Sequence, residues 1–146
     1  MIDNKRLEKG FGHKYAMLVL LITLSILCGF KSVAEDLSGL ASLLRGASIL
    51  AQDSENTFLG KVDNEFSSES IFNEFGTYGS KFSSSSIWNE FSSFGSEFSS
   101  YSAFSEFSST PPMLVKNGRV IGYLTQNKFL RGGISPNILR ALKDEY

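Results

Sequence analysis

The sequence predicts an α+β protein in which short stacked repeats are followed by a β-hairpin and a C-terminal helix. Three copies of a 16-residue unit begin at Phe66, Phe82 and Phe98 and keep their register without a gap. After the third copy come a two-residue turn signal and then a helix-start signal. A short fixed period indicates one small structural unit that stacks on copies of itself. Any function is therefore expected on the surface of the array rather than in a single pocket.

Residues 1–34 are predicted to be a secretory signal peptide. Four basic residues precede the uncharged stretch 16–30, and the small residues Ser32 and Ala34 follow it. A basic start, a short apolar centre and a small-residue exit are typical of such signals. The alternative is an uncleaved membrane anchor with its basic end inside. Export to the periplasm, the cell envelope or the medium follows from the first interpretation.

Cleavage after Ala34 would leave 112 residues that carry nine Lys and Arg against thirteen Asp and Glu. This net charge of −4 argues against nucleic acids and anionic membrane surfaces as partners. A membrane is expected only through an uncleaved N-terminal segment. His13 and Cys28 both lie before the cleavage point, so the mature chain contains neither residue type. Disulfides, thiolate or imidazole metal sites and a Ser-His-Asp triad are thereby excluded, and we expect no enzyme.

Residues 35–57 are predicted to form a short helix and a linker. Leu37, Leu40 and Leu44 recur at helical spacing, which favours a helix over residues 36–52. Gly39 and Gly46 weaken it, since each glycine costs about 1 kcal/mol relative to alanine in a helix.

Residues 58–112 are predicted to be a three-copy repeat array. Residues 66–110 hold 17 serines and 12 aromatic residues, a composition that also occurs in disordered, prion-like segments. Order is favoured because phenylalanine, a second bulky ring and glutamate return at fixed places in each copy. A low-complexity tract preserves composition but not such a register.

Each copy is interpreted as a capped helical turn plus a short strand or loop. Ser70, Ser86 and Ser102 stand where helix N-caps would, with hydroxyls able to accept from N–H groups two or three residues on. Rings three apart, such as Phe72 and Phe75, would then share one helix face. The first and tenth places of the copies are expected to form two buried aromatic ladders, whose members are Phe66, Phe82 and Phe98, and Phe75, Phe91 and Phe107.

Residues 113–146 are predicted to form a β-hairpin and a C-terminal helix. Two apolar runs, 113–116 and 119–124, flank Asn117-Gly118, the strongest two-residue hairpin signal. Ser135-Pro136 is typical of an N-cap and a first helical residue, which predicts a helix from residue 136 to residue 143.

Residues 58–127 resemble a family of small exported bacterial proteins. The likeness lies in the phrases SIFNEFGTYGSKFSSSSIWNEF and PPMLVKNGRVIGYLT. In that family, Ser-Ile-x-Asn and Tyr-Gly-Ser units of 16 residues precede a short hairpin tail, and no activity is established. The resemblance therefore implies export and architecture, but no chemistry. Phenylalanine replaces tyrosine at several places here, which favours a core role for those rings.

Two sets of residues are candidates for binding. The first could bind a hard cation such as calcium, because carboxylate and amide oxygens are its preferred ligands; it comprises Glu74, Glu90, Glu106, Asn73 and Asn89. The other interpretation is that the asparagines bond turn backbone while the glutamates face solvent. The second set could stack on sugar rings or contact a protein, unless its rings are core; it comprises Trp88, Tyr101 and Tyr78.

Two functions of different class follow. In the first, the mature protein is a non-catalytic module that acts as an interaction protein or a structural protein of the cell envelope. In the second, it is a small carbohydrate- or calcium-binding module that uses the aromatic and Glu/Asn ladders. No cofactor is expected apart from calcium, and the partner is an unidentified protein or glycan.

Overall fold

The computed structural model describes residues 36–146. The predicted signal peptide or anchor, residues 1–34, lies outside the described residues. The chain divides into residues 1–39, of which 36–39 are described and helical, and a compact unit formed by residues 40–146. Among residues 36–146, no helix is long and apolar enough to cross a membrane.

Helix α1 covers residues 36–44 of the described chain. It ends at Gly46, whose φ of +76° lies in the left-handed region that favours glycine. The predicted continuation to residue 52 is wrong, because strand β1 (Ser48–Leu50) follows at once. Ala47, Ile49 and Ala51 are buried and alternate with half-buried residues, and this period of two is that of a strand.

The sheet has five strands in the order β2-β1-β3-β4-β5. They are β1, β2 (Phe58–Lys61), β3 (Met113–Lys116), β4 (Arg119–Leu124) and β5 (Gly133–Ile134). Strand β1 pairs antiparallel with both β2 and β3, while β4 and β5 run parallel. The chain that enters residues 62–112 and the chain that leaves them therefore lie on either side of β1. With helices and a mixed sheet, the described residues confirm the α+β class.

Strands β3 and β4 pair antiparallel around Asn117 and Gly118. The two turn residues have φ values of +51° and +72°. Positive φ at both central positions belongs to the type I′ turn, whose twist matches that of the flanking strands.

Residues 62–112, which we call the turn segment, contain no helix. The predicted capped helical turns are replaced by successive β-turns, in each of which an N–H donates to the carbonyl three residues earlier. The first donors are Ser67, Ser70, Asn73 and Gly76, with N···O distances of 2.9–3.3 Å. The serine and asparagine side chains explain the difference, because they bond the backbone two residues on and so compete with helical pairing.

One wider turn in each of the first two copies accounts for the period of 16. The Ser80 N–H donates to Gly76, four residues earlier, and the Ser96 N–H donates to Ser92 in the same way. Between Ser67 and Ser83 the chain thus makes four steps of three residues and one step of four.

The fully buried hydrophobic side chains of the turn segment are aliphatic. Ile71, Ile87 and Ala103, which occupy the same place in successive copies, are fully buried. Phe72, one residue further, is buried as well. The two predicted buried ladders are wrong, since all six of their phenylalanines are 87–101% exposed. In this run of β-turns, rings three residues apart do not share a face as they would on a helix.

Helix α2 (Pro136–Ala141) begins as predicted, with the Ser135 hydroxyl accepting from the Asn137 N–H at 3.3 Å. It ends two residues before the predicted end, and a 3₁₀ turn (Lys143–Glu145) follows. Its Arg140 guanidinium lies 4.6 Å from the centroid of the Trp88 ring. Tyr146 stacks on Phe72, with centroids 5.6 Å apart.

Replacing Ile87 with alanine should lower the free energy of unfolding by about 2–5 kcal/mol, because it leaves a cavity in the core. The exposed Phe91 supplies the control, and Phe91→Ala should change that free energy by no more than about 0.5 kcal/mol. Urea unfolding followed by circular dichroism measures both. Equal losses in the two variants would contradict the division into inward and outward side chains.

Tyr146→Phe should raise the free energy of unfolding by about 1 kcal/mol, because the Tyr146 hydroxyl is buried without a hydrogen-bond partner among the described residues.

Burial also raises the pKa of Tyr146 above 10.0. The folded state thus favours the neutral phenol. The free energy of unfolding is therefore retained below pH 10.0 and declines as the pH rises above that value. Urea unfolding at neutral and alkaline pH should show a smaller decline for the variant. A destabilised variant would indicate that the hydroxyl has a partner.

Candidate interaction surface

Six phenylalanines of the turn segment project into solvent, and we call them the phenylalanine face. They are Phe66, Phe75, Phe82, Phe91, Phe98 and Phe107.

The turns fix the direction of these rings through their backbone. The Phe75 N–H donates to Asn73 Oδ1 at 3.2 Å, and the Phe91 N–H donates to Asn89 Oδ1 at 3.0 Å. The Phe82 N–H donates to the Ser80 hydroxyl at 3.3 Å. A side chain two residues earlier therefore holds the backbone of the ring-bearing residue. The rings are exposed because of ordered turns.

The summed surface of the six exposed rings is comparable with one side of a protein–protein interface. An aromatic side chain carries roughly 150–250 Å² of surface, so six exposed rings present on the order of 1,000 Å². A standard interface takes about 800 Å² from each partner. Exposed apolar patches larger than a few hundred Å² are rare on monomeric proteins and mark interaction sites.

Acidic residues border the phenylalanine face. A glutamate immediately precedes five of the six rings, whereas Lys81 precedes Phe82. All of these charged residues are exposed. The five glutamates are Glu65, Glu74, Glu90, Glu97 and Glu106. The six residues that immediately precede the rings therefore carry four net negative charges.

A cavity of about 370 Å³ in the first copy lies between Phe66 and Phe75, with Phe72 also in its wall. Glu65 and Glu74 line it as well. Lys143 enters it from the C-terminal 3₁₀ turn, with Nζ 3.1 Å from Glu65 Oε2 and 3.8 Å from Glu74 Oε1.

The electrostatics of Lys143 follow from this placement. Its hydrogen bond to Glu65 is the largest cause of a raised pKa, partly offset by desolvation. The ammonium form is therefore favoured where it meets the two carboxylates.

The third copy has a cavity of about 400 Å³ lined by the same places of the repeat. Its wall contains Glu97, Phe98, Phe104, Glu106 and Phe107, each 32 residues after its counterpart in the first copy. Among the described residues, neither of these glutamates forms an ion pair. The first and third copies thus present the same cavity, but only the first contains a lysine of the chain.

The three aromatic residues predicted as contacts lie in different environments. Trp88 is half-buried, and its Nε1 donates to the Ile71 carbonyl at 2.5 Å. Tyr78 packs edge-on against Phe58, with centroids 5.0 Å apart. Tyr101 is 38% exposed. Only Tyr101 therefore presents an exposed ring, and a contact role for the three stays a prediction.

The predicted cation ligands are engaged elsewhere or dispersed. The amide of Asn73 donates to the Ser67 carbonyl at 3.2 Å, and that of Asn89 donates to Ser83 at 3.0 Å. Glu74 faces Lys143, while Glu90 and Glu106 are exposed. Within residues 36–146, no three acidic, histidine or cysteine side chains are grouped so as to hold a metal ion. The asparagines have the turn role that was the other interpretation, and the calcium site stays a prediction.

The phenylalanine face was missed as a binding surface because its rings were expected in the core. A signal in the sequence separates the two kinds of ring. Inward rings follow an aliphatic residue, as in Ile71-Phe72, Ile87-Trp88 and Ala103-Phe104, whereas outward rings follow a charged one. For these nine rings, the preceding residue thus indicates the direction of the ring, whereas Tyr78, Phe94 and Tyr101 follow a serine or threonine and have no such signal.

No protein-family model, curated protein or solved structure matches the chain.

Asn89→Ala should lower the free energy of unfolding by about 1–3 kcal/mol, because it leaves the Phe91 N–H and the Ser83 carbonyl without their partner. Thermal unfolding with and without millimolar calcium measures this loss. We expect the loss to be independent of calcium, since the amide serves the backbone. A wild-type midpoint that rises with calcium, and a variant that does not respond, would instead assign Asn89 to a cation site.

Proposed function

We propose that the protein is an exported, non-catalytic repeat module that binds a partner in the cell envelope or outside the cell through the phenylalanine face. The exposure of six phenylalanine rings on ordered turns is the observation that carries the proposal. A ring that is held in solvent loses the roughly 2–3 kcal/mol that its burial would contribute. A partner that covers the face would recover this free energy.

The proposal includes an array in which each 16-residue copy forms one coil stacked on the next, ahead of a hairpin and helix tail. Contacts between equivalent places support it. Trp88 of the second copy donates to Ile71 of the first and lies 5.9 Å, centroid to centroid, from Phe104 of the third. Stacking of this kind would arrange the outward rings in two rows with glutamates beside them.

A binding role is favoured over catalysis by the chemistry of the chain after residue 34. It contains no histidine or cysteine. Several serine hydroxyls donate to backbone carbonyls, as Ser70 does to Asp63 at 2.7 Å and Ser92 does to Asn89 at 2.9 Å. These hydroxyls serve the turns, so none of them is a candidate nucleophile.

A glycan-binding module is the second candidate. The exposed ring of Tyr101 supports it, because aromatic rings can stack on sugar faces. The phenylalanine face favours a polypeptide instead, since its rings lack hydroxyls that could bond to a sugar.

Photo-crosslinking in the producing cells tests the proposed function. The photoreactive residue p-benzoylphenylalanine replaces Phe82 or Phe91 in the full chain, and Val120 serves as a matched control. Val120 lies on β4 and is 50% exposed. We expect adducts of defined mass from positions 82 and 91 in the exported fraction, and none from position 120.

Each result has a distinct meaning. Digestion of the adducts by protease or glycosidase separates a polypeptide partner from a glycan. Absence of adducts at 82 and 91, or equal adducts at 120, would contradict partner binding by the phenylalanine face. Exported protein that begins at Glu35 in intact-mass analysis would support cleavage after Ala34.

A further inference from the structure

The first-copy cavity shows which ligand its residues accept. Lys143 enters between Glu65 and Glu74, and Phe66, Phe72 and Phe75 also line the space. The two carboxylates form ion pairs with the ammonium group. Aromatic walls suit the apolar stem of a lysine side chain and attract its charge. In the first copy, the chain's own Lys143 thus pairs with both carboxylates.

The other two copies differ from the first in the charged residues at the equivalent positions. In the second copy, Lys81 stands at the place of Glu65, so one carboxylate is replaced by an ammonium group. In the third copy, Glu97 and Glu106 retain both carboxylates, but Gln126 is the residue that the tail contributes to the cavity wall. The third-copy cavity therefore has the acidic and aromatic lining of the first without a lysine among the described residues.

We propose that the third-copy cavity binds a lysine side chain of a basic polypeptide partner. The ammonium group would lie between Glu97 and Glu106, as that of Lys143 lies between Glu65 and Glu74 in the first copy. The stem of the bound lysine would cover Phe98 and Phe107. This inference rests on the proposed function and names the chemistry of its partner.

A basic polypeptide is favoured over a free amine or a metal ion by the surroundings of the cavity. The phenylalanine face continues beyond it, and the five glutamates along the border leave three net negative charges after Lys81 and Lys143 are counted. A polypeptide with several lysines and apolar residues would match both properties, whereas a small amine would cover one cavity only. A metal ion would not use the aromatic walls.

Binding of octalysine to the exported protein, measured by fluorescence anisotropy with a labelled peptide, is the first test. We expect the affinity to fall at least tenfold when the peptide is acetylated at every Nε, because acetylation removes the charge. The double variant Glu97→Gln/Glu106→Gln should cause a loss of similar size. The control Asp36→Asn/Glu55→Gln removes the same charge at exposed positions outside residues 62–112, and it should change the affinity less than twofold.

The variant Lys143→Gln provides a second test, because it removes the ammonium group that faces Glu65 and Glu74. Titration with Nα-acetyl-lysine methylamide is followed by ¹H–¹⁵N NMR. In the wild-type protein, we expect shift changes to concentrate in residues 97–107. In the variant, residues 65–75 should respond as well, so that the number of sites rises from one to two.

Equal losses in the two double variants, or binding that survives acetylation, would overturn the inference by showing that only net charge matters. Shift changes spread evenly over the protein would overturn it too. If octalysine fails to bind while positions 82 and 91 still crosslink to a partner, the inference fails and the proposed function stands. If octalysine binds at residues 97–107 but no crosslink forms in cells, the site stands and the proposed function fails.

Discussion

The structure depends on a hydrogen bond between a side chain and the backbone two residues on. In residues 62–112, serine and asparagine oxygens accept from N–H groups such as those of Phe72, Phe75 and Trp88. These bonds satisfy donors that no helix or strand ladder pairs in this segment, and an unsatisfied buried donor would be costly. They also restrict each turn to a shape that repeats every three residues. The buried aliphatic residues Ile71, Ile87 and Ala103 and the outward rings recur with the 16-residue copy and not with the single turn.

The remainder of the chain covers the ends and one side of the turn segment. Strand β1 pairs with β2 and β3, the strands before and after the turn segment. The C-terminal residues Arg140 and Tyr146 pack on Trp88 and Phe72 of the turn segment. Arg45 connects the two parts, since its side chain lies over the Tyr146 ring at 5.5 Å and donates to the Glu145 carbonyl. The apolar core is therefore shared between the turns and the sheet, with Ile71 and Ile87 on one side and Ile49 and Leu114 on the other.

Local signals in the sequence predicted local features well. Asn117-Gly118 has the positive φ values of a tight turn, and Ser135 caps the helix that begins at Pro136. The acceptor role of Ser70, Ser86 and Ser102 also holds, although the turns they stabilise are not helical. The prediction went wrong where two geometries share a spacing, because a period of three fits both a helix face and a run of turns. Only the second geometry turns Phe72 inward and Phe75 outward, and only tertiary packing selects it.

The position of β1 has a consequence for how the number of copies could change. Neighbouring strands lie about 4.8 Å apart, so β2 and β3, which flank β1, are held roughly 10 Å apart. These strands are the entry and the exit of the turn segment. In the proposed stack of copies, an added or deleted copy would displace the exit relative to the entry, whereas β1 permits only one separation. Unlike an open solenoid, such a stack would have its copy number fixed by the sheet, and a change of length would require a matching change in the strands.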